Sequence, residues 1–302
     1  MLSRLSSSYV LLVHLDTFDR AAVMLIHFQV FINKRIFSDP NFAHAQVTFA
    51  SYHFFITHIT LHIMSTPSFS IFERRQLGIL DLFPLASSMC LSVVLQNTSL
   101  QHCSVPFYQT VRVLLTPITA ALNFFLYRQG IPWQAAVMLI PTCAGVGLMA
   151  YYDTKKAGSG QSQTTTVGAT FALAGVVASA IYTVWVGRYQ KKLDTSSIQL
   201  LHQQSLFGAV LLLFCIPFID KLPHYSDVPL DRWIAILLSG TCAVIINVSS
   251  FSIIGNAGAV SATVVGHGKT VCIVVLGWFI GGKAVNHGSI AGIAVAIAGI
   301  LA

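Results

Sequence analysis

The chain has 302 residues, of which 55% are hydrophobic and only 9% charged, with a mean hydropathy of +0.72. A soluble domain carries about a quarter charged residues, so the polar material here is too scarce to coat a water-soluble globule, and the composition specifies a polytopic membrane protein. The net charge of +7 does not signal nucleic acid, because no module interleaving basic and aromatic residues accompanies it; loop Lys and Arg orient helices and meet lipid headgroups instead.

Residues 1–20, MLSRLSSSYVLLVHLDTFDR, hold too short an apolar run for a signal peptide and read as an N-terminal extension. A membrane span needs about 20 apolar residues. Ten segments qualify: 21–37, 43–64, 78–97, 104–127, 133–152, 167–187, 198–219, 233–255, 258–281 and 286–302. The first is short. In the second, FITHITLHIM sets His58 and His62 four residues apart, a metal-ligand spacing. No cysteine or carboxylate lies near them in sequence, so neither a metal nor any other cofactor is expected.

The fourth span contains VPFYQTVRVLLTP, with Arg112 between two apolar runs. Tyr108 and Gln109 precede it by four and three residues and border its helix face. Thr116 and Pro117 follow, and Pro117 is expected to break the helical ladder and free carbonyls for a cavity. After the fifth span comes DTKKAGSGQSQTTT, a flexible linker over 153–166. It divides the chain into two halves of five spans, 21–152 and 167–302. Tyr182 lies in the sixth span, Gln204 in the seventh and Asn247 in the eighth. Each is either a cavity group or glue between helices. The eighth and ninth spans are close enough to form a tight helical hairpin. The ninth carries Gly266-His267-Gly268-Lys269-Thr270, whose glycines let a ligand or a neighbouring helix approach the backbone. Gly288, Gly292 and Ala296 make a small-residue stripe on the tenth, suited to helix packing or a homodimer.

Of the 17 Lys and Arg, only Arg112 and Lys269 lie deep within spans, and none of the ten Asp and Glu does. A charge at mid-bilayer costs at least about 2.5–3.5 kcal/mol. Two such charges without partner acids call for a ligand that brings the counter-charge, and phosphate suits Arg and Lys donors. CSVPFYQTVR ends in Arg112 and VSATVVGHGK ends in Lys269, 157 residues later, each in the fourth span of its half. Halves with an odd number of spans run in opposite directions, the arrangement of an inverted-repeat transporter. No deep acid–base pair is present, so an enzyme is not expected. The six cysteines lack any C-x-x-C spacing and read as small buried hydrophobes. Loop cations divide almost evenly between the two faces, and Arg4 and Arg20 tip the N-terminus toward the cytosol.

Seven stretches carry a resemblance: FINK (31–34), SVPFYQTVR with the following TP, LIPTCAGVGLMAYYD, YTVWVG, SSIQLLHQQ, LLSGTCAVIINVSSFSIIGN and GHGK. Through them the chain resembles the triose-phosphate/nucleotide-sugar translocator family of the drug/metabolite transporter superfamily, with the E3-like branch of solute carrier family 35 nearest. The resemblance implies an all-α membrane protein of about ten transmembrane helices, arranged as two inverted five-helix repeats. It implies an antiporter that exchanges a phosphorylated solute for phosphate or a nucleoside monophosphate by alternating access. Arg112 and Lys269 match the basic positions that hold phosphate on the family's fourth and ninth helices. Tyr108, Gln109, Thr116, Gln204, His267, Tyr182 and Asn247, with Asn33 and Lys34 of FINK, are the further candidates for contacting substrate. Thr270 stands where the plastid triose-phosphate members carry a second basic residue, which favours a nucleotide sugar over a small phosphosugar. The leucine and asparagine of the GDP-mannose pattern are also missing from GHGK, which leaves a UDP-sugar ahead. The expected partners are therefore a nucleotide sugar, a nucleoside monophosphate and the lipid bilayer, with the Golgi or ER membrane as the compartment. The alternatives are a carrier of a phosphosugar, a phosphoenolpyruvate-like acid or another metabolite, and a multi-spanning protein that does not transport.

Overall fold

The computed structural model describes residues 45–103, 111–155, 165–221, 228–268 and 287–301, with the isolated positions 32, 36, 42, 108 and 271. Among the described residues there is no strand. The chain forms α1 (Gln46–Met64), α2 (Ile79–His102), α3 (Leu115–Tyr127), α4 (Trp133–Lys155), α5 (Thr166–Lys192), α6 (Ser197–Ile219), α7 (Leu230–Ala257) and α8 (His287–Leu301). Residues 259–268 are also helical. The expected N-terminal extension, most of the first span, and the later part of the ninth lie outside the described residues.

Local chemistry sets several of these ends. Thr165 caps α5 by accepting a hydrogen bond from the Gly168 amide at 3.0 Å. Ser196 and Gln199 form a reciprocal capping box at the start of α6, with bonds of 3.2 and 3.0 Å. The turn between α5 and α6 is short and uses the left-handed region at Asp194, φ 48°. Gly258, at φ 89°, ends α7, and helix resumes at 259. Only glycine takes that backbone conformation without strain. A single residue therefore joins the two helices, as the short spacing in the sequence suggested.

The fourth span departs from the sequence reading in one respect. The interruption falls at Leu114, before Pro117, which sits in the first turn of α3. Proline has no N–H to give to the carbonyl four residues back, and that carbonyl belongs to Val113. The Cys143 thiol of α4 reaches it instead, at 3.9 Å. The freed carbonyl thus serves a neighbouring helix.

Helices from the first half of the chain pack on helices from the second. α1 lies against α6 and α7, α2 against α5 and α6, α3 against α5, and α4 against α8. The main core is shared between the halves: Leu61, Leu82 and Leu85 meet Val186, Leu200 and Phe251. Asp220, just past α6, accepts hydrogen bonds from the amides of Val47 at 3.3 Å and Thr48 at 2.6 Å. It thereby serves the uncapped N-terminus of α1 from the other half. The stripe on α8 is also spent within the chain. Gly145 of α4 lies so close to the backbone of Gly292 and Ala296 that a Cβ there would overlap it, and Gly288 lies under the Tyr152 ring. Of the two uses expected for the stripe, this is helix packing.

The outward surface is apolar. Leu80 and Phe218 are each 89% exposed and Trp133 is 79% exposed. In water, patches of this kind would drive aggregation; in a bilayer they meet acyl chains. Helices α2, α5, α6 and α7 are each long and apolar enough to cross a membrane, and the chain is an integral membrane protein.

Candidate functional site

Tyr108, a buried residue before α3, lies beneath Arg112, whose guanidinium carbon is 5.7 Å from the ring centroid. A cation over an aromatic face is held by the ring quadrupole. The Arg112 side chain is itself exposed, and no carboxylate pairs with it among the described residues. The Tyr108 hydroxyl donates to Gln96 Oε1 of α2 at 3.1 Å. Gln96 Nε2 in turn donates to Ser179 Oγ of α5. One turn further along the same face of α5 stands Tyr182. Its hydroxyl accepts from Gln204 Nε2 of α6 at 3.0 Å. Gln204 is fully buried, and its Oε1 has no partner among the described residues.

A polar seam therefore runs through the apolar bundle, from Arg112 through Tyr108, Gln96 and Ser179 to Tyr182 and Gln204. On the other side of Arg112, Thr116 Oγ1 bonds His267 Nε2 at 2.8 Å. Both are buried, at 0% and 7% exposure. This bond ties α3 to helical residues 259–268, the segment that leads in sequence to Lys269. Lys269, Gln109, Asn33 and Lys34 lie outside the described residues.

Asn247 takes a different place. Its Nδ2 donates to Thr57 Oγ1 at 3.0 Å, joining α7 to α1. His53 and Ser239 join the same two helices at 2.9 Å. Here the amide is glue between helices, one of the two uses expected for it.

Gln96 and Ser179 were not singled out from the sequence. Gln96 stands at the expected C-terminal end of an apolar span, where an amide draws no notice, and Ser179 lies in a run of small residues. Their only available signal was being polar within apolar windows. The partnership itself spans 83 residues.

The C-terminal ends of α3, α5 and α7 enclose a cavity of about 240 Å³ lined by Asn123, Tyr127, Arg188, Lys191 and Asn256. Arg188 lies over the Tyr127 ring, 4.9 Å from its centroid. Asn123 is eleven residues beyond Arg112, roughly 16 Å along a helix axis. The same face carries Arg75 beside Asp194, with an ion-pair distance of 3.7 Å, and Lys192 beside Asp81 at 3.3 Å. These exposed pairs are weak. They place the 65–78 loop and the α5–α6 turn at one end of the bundle.

Comparison with known proteins fits this architecture. Residues 166–302 match the EamA-like transporter family. The chain is 27% identical over 278 residues to UDP-rhamnose/UDP-galactose transporter 1 of Arabidopsis thaliana, covering 90% of this chain and 77% of that protein. It is 28% identical over 280 residues to UDP-xylose transporter 1 of the same plant, covering 90% and 78%. A solved structure, described only as the crystal structure of a protein, superposes with a TM-score of 0.70 at 14% identity, covering 94% of each chain. That likeness concerns the fold alone. The match in the second half and the relatives along nine-tenths of the length agree with the motifs of both halves: the chain is similar to membrane transporters of the drug/metabolite transporter superfamily, nucleotide-sugar transporters among them.

Proposed function

We propose that this protein carries a nucleotide sugar, UDP-linked, across a Golgi or ER membrane in exchange for a nucleoside monophosphate. The observation that carries the reading is the exposed Arg112, without a carboxylate partner among the described residues, at the head of a polar seam in a chain whose relatives are named for UDP-sugar transport. In this reading Arg112 and Lys269 hold the phosphates. Tyr108 and Gln109 border the base or sugar, and Thr116 and His267 steady the segment that precedes Lys269. Gln204 and Tyr182 close the far end of the seam, where the unpaired Gln204 oxygen is free to accept from a sugar hydroxyl. Asn33 and Lys34 belong to the entrance, and Asn247 keeps α7 on α1.

The fold in this reading is ten helices in two inverted repeats, 21–152 and 167–302, joined by the 153–166 linker. The packing supports it. Exchanging the two halves maps the second span onto the seventh and the fifth onto the tenth, and α1 does lie on α6 and α4 on α8. The same exchange maps the α2–α6 contact onto the α7–α1 contact, and both exist. Alternating access then follows from one half rocking on the other around the seam. The substrate's charge offsets the two cations, so the loaded carrier reorients faster than the empty one, which gives exchange. The basic cavity at one end concentrates anions at the entrance.

The test is uptake into proteoliposomes preloaded with UMP, using a panel of UDP-sugars, GDP-mannose and phosphosugars. Exchange of at least one UDP-sugar is expected, with its loss in Arg112→Ala and in Lys269→Ala at normal protein levels. No exchange of any UDP-sugar by the folded wild type would overturn the substrate. Full activity in both variants would overturn the site.

A further inference from the structure

His58 and His62 of α1 have a third histidine beside them. His202, on α6 and 140 positions beyond His62 in sequence, stacks on His58 with ring centroids 4.6 Å apart and planes 18° apart. Its ring centroid is 5.7 Å from that of His62. One ring nitrogen from each of the three lies within 4.8 Å of the others. We propose that these three histidines form a metal site, distinct from the substrate seam, that takes zinc or a similar divalent transition metal and clamps α1 to α6.

Three features go beyond proximity. His202 is only 3% exposed, and its Nε2 has no hydrogen-bond partner among the described residues. A buried imidazole nitrogen left without a partner is destabilising, and a metal ion would supply one. Second, His58 Nδ1 lies 2.9 Å from the His202 carbonyl oxygen. A carbonyl only accepts, so Nδ1 carries the hydrogen, and in the neutral ring Nε2 keeps its lone pair. A ring nitrogen bonded to a backbone carbonyl while the other is left for the metal is the usual way a ligating histidine is oriented. Third, His62 is exposed, so an ion has an entrance and a position for water or an outside ligand.

The donor chemistry narrows the metal. Three neutral imidazoles suit zinc, copper or nickel, whereas magnesium and calcium need oxygen ligands. The nearby cation, Arg74, is held on Ser65 Oγ at 2.7 Å and on the His62 carbonyl at 3.2 Å. It repels any cation somewhat, which favours a tightly bound transition metal over a weak hard one. Zinc–nitrogen bonds of about 2.0–2.1 Å hold tetrahedral ligand atoms about 3.3 Å apart. The site therefore closes by no more than about 1.5 Å, within the reach of a turn of the exposed His62 ring. Phe72 lies edge-on to His202 at 5.9 Å and shields one side.

The sequence showed only the i, i+4 pair and gave no third ligand. The packing of α1 on α6 supplies it. Because these helices come from opposite halves, a bound ion restrains their sliding.

The test uses the full chain, purified without a polyhistidine tag in detergent, stripped with chelator and equilibrated with ZnCl₂. Metal is counted by mass spectrometry after desalting, and the melting temperature is followed. About one zinc per chain and a raised melting temperature are expected, with no response to MgCl₂. His62→Ala alters an exposed side chain and spares the core, so it folds; it and His58→Ala should each weaken zinc binding tenfold or more. His202→Gln should do the same, and the exposed His62 variant decides the matter if His202→Gln does not fold. No zinc retained by the wild type, or equal binding by His62→Ala, would show that the three rings are only packed together.

Discussion

At the scale of single residues, Arg112 shows how much of a candidate site a sequence can offer. A permanent charge inside an apolar span stands out because lipid penalises it wherever the chain folds. Its aromatic neighbour was legible too, since four residues along a helix share a face. Gln96 and Ser179 were not, because nothing local relates an amide near the end of one span to a serine in another. The seam predicts a graded response. Tyr108→Phe keeps the ring under the guanidinium and loses one hydrogen bond, worth about 0.5–1.5 kcal/mol. Its half-saturating substrate concentration should rise by no more than about tenfold. Tyr108→Ala also loses the cation–ring contact, about 0.5–2 kcal/mol, and should rise further. Equal effects of the two substitutions would mean that the ring does not position Arg112.

At the scale of elements, the spans were readable from about 20-residue apolar windows, while their ends depended on finer chemistry. Sequence placed the seventh span at 198–219, and α6 runs Ser197–Ile219 because Ser196 and Gln199 cap it. Ser196 is exposed, so Ser196→Ala isolates the cap. It should cost about 1 kcal/mol, seen as faster amide hydrogen exchange confined to the first turn of α6. Unchanged exchange there would show that the box contributes nothing. The fourth span was read as one segment with its break at Pro117. The break came at Leu114, because proline disables the bond to the carbonyl four residues back. Sequence shows the proline, and only the neighbouring helix shows that Cys143 takes up the freed carbonyl.

For the whole molecule, the halves hold each other by close packing of small residues. Gly145 of α4 has the backbone of α8 where its Cβ would stand, whereas Gly147 has nothing within 4 Å. Gly145→Val should therefore destabilise by about 1–3 kcal/mol or more through overpacking, and Gly147→Val should not. Melting temperatures in detergent separate the two, and equal values would contradict the contact between α4 and α8. The small-residue stripe was visible in sequence with two uses open to it, packing and a homodimer. The partner helix decided between them.

The membrane class, the helical character, the candidate spans and the two deep cations came from the sequence alone. Each rests on hydrophobicity or charge acting over one helix length, which the bilayer enforces regardless of fold. The tertiary structure decided which polar groups meet: Tyr108 with Gln96, Gln96 with Ser179, Tyr182 with Gln204, Thr116 with His267, and His202 with His58 and His62. Many of these pairings cross between halves of the chain, over separations no local pattern encodes. They exist because the apolar faces of α1, α2 and α4 find their complements on α6, α5 and α8.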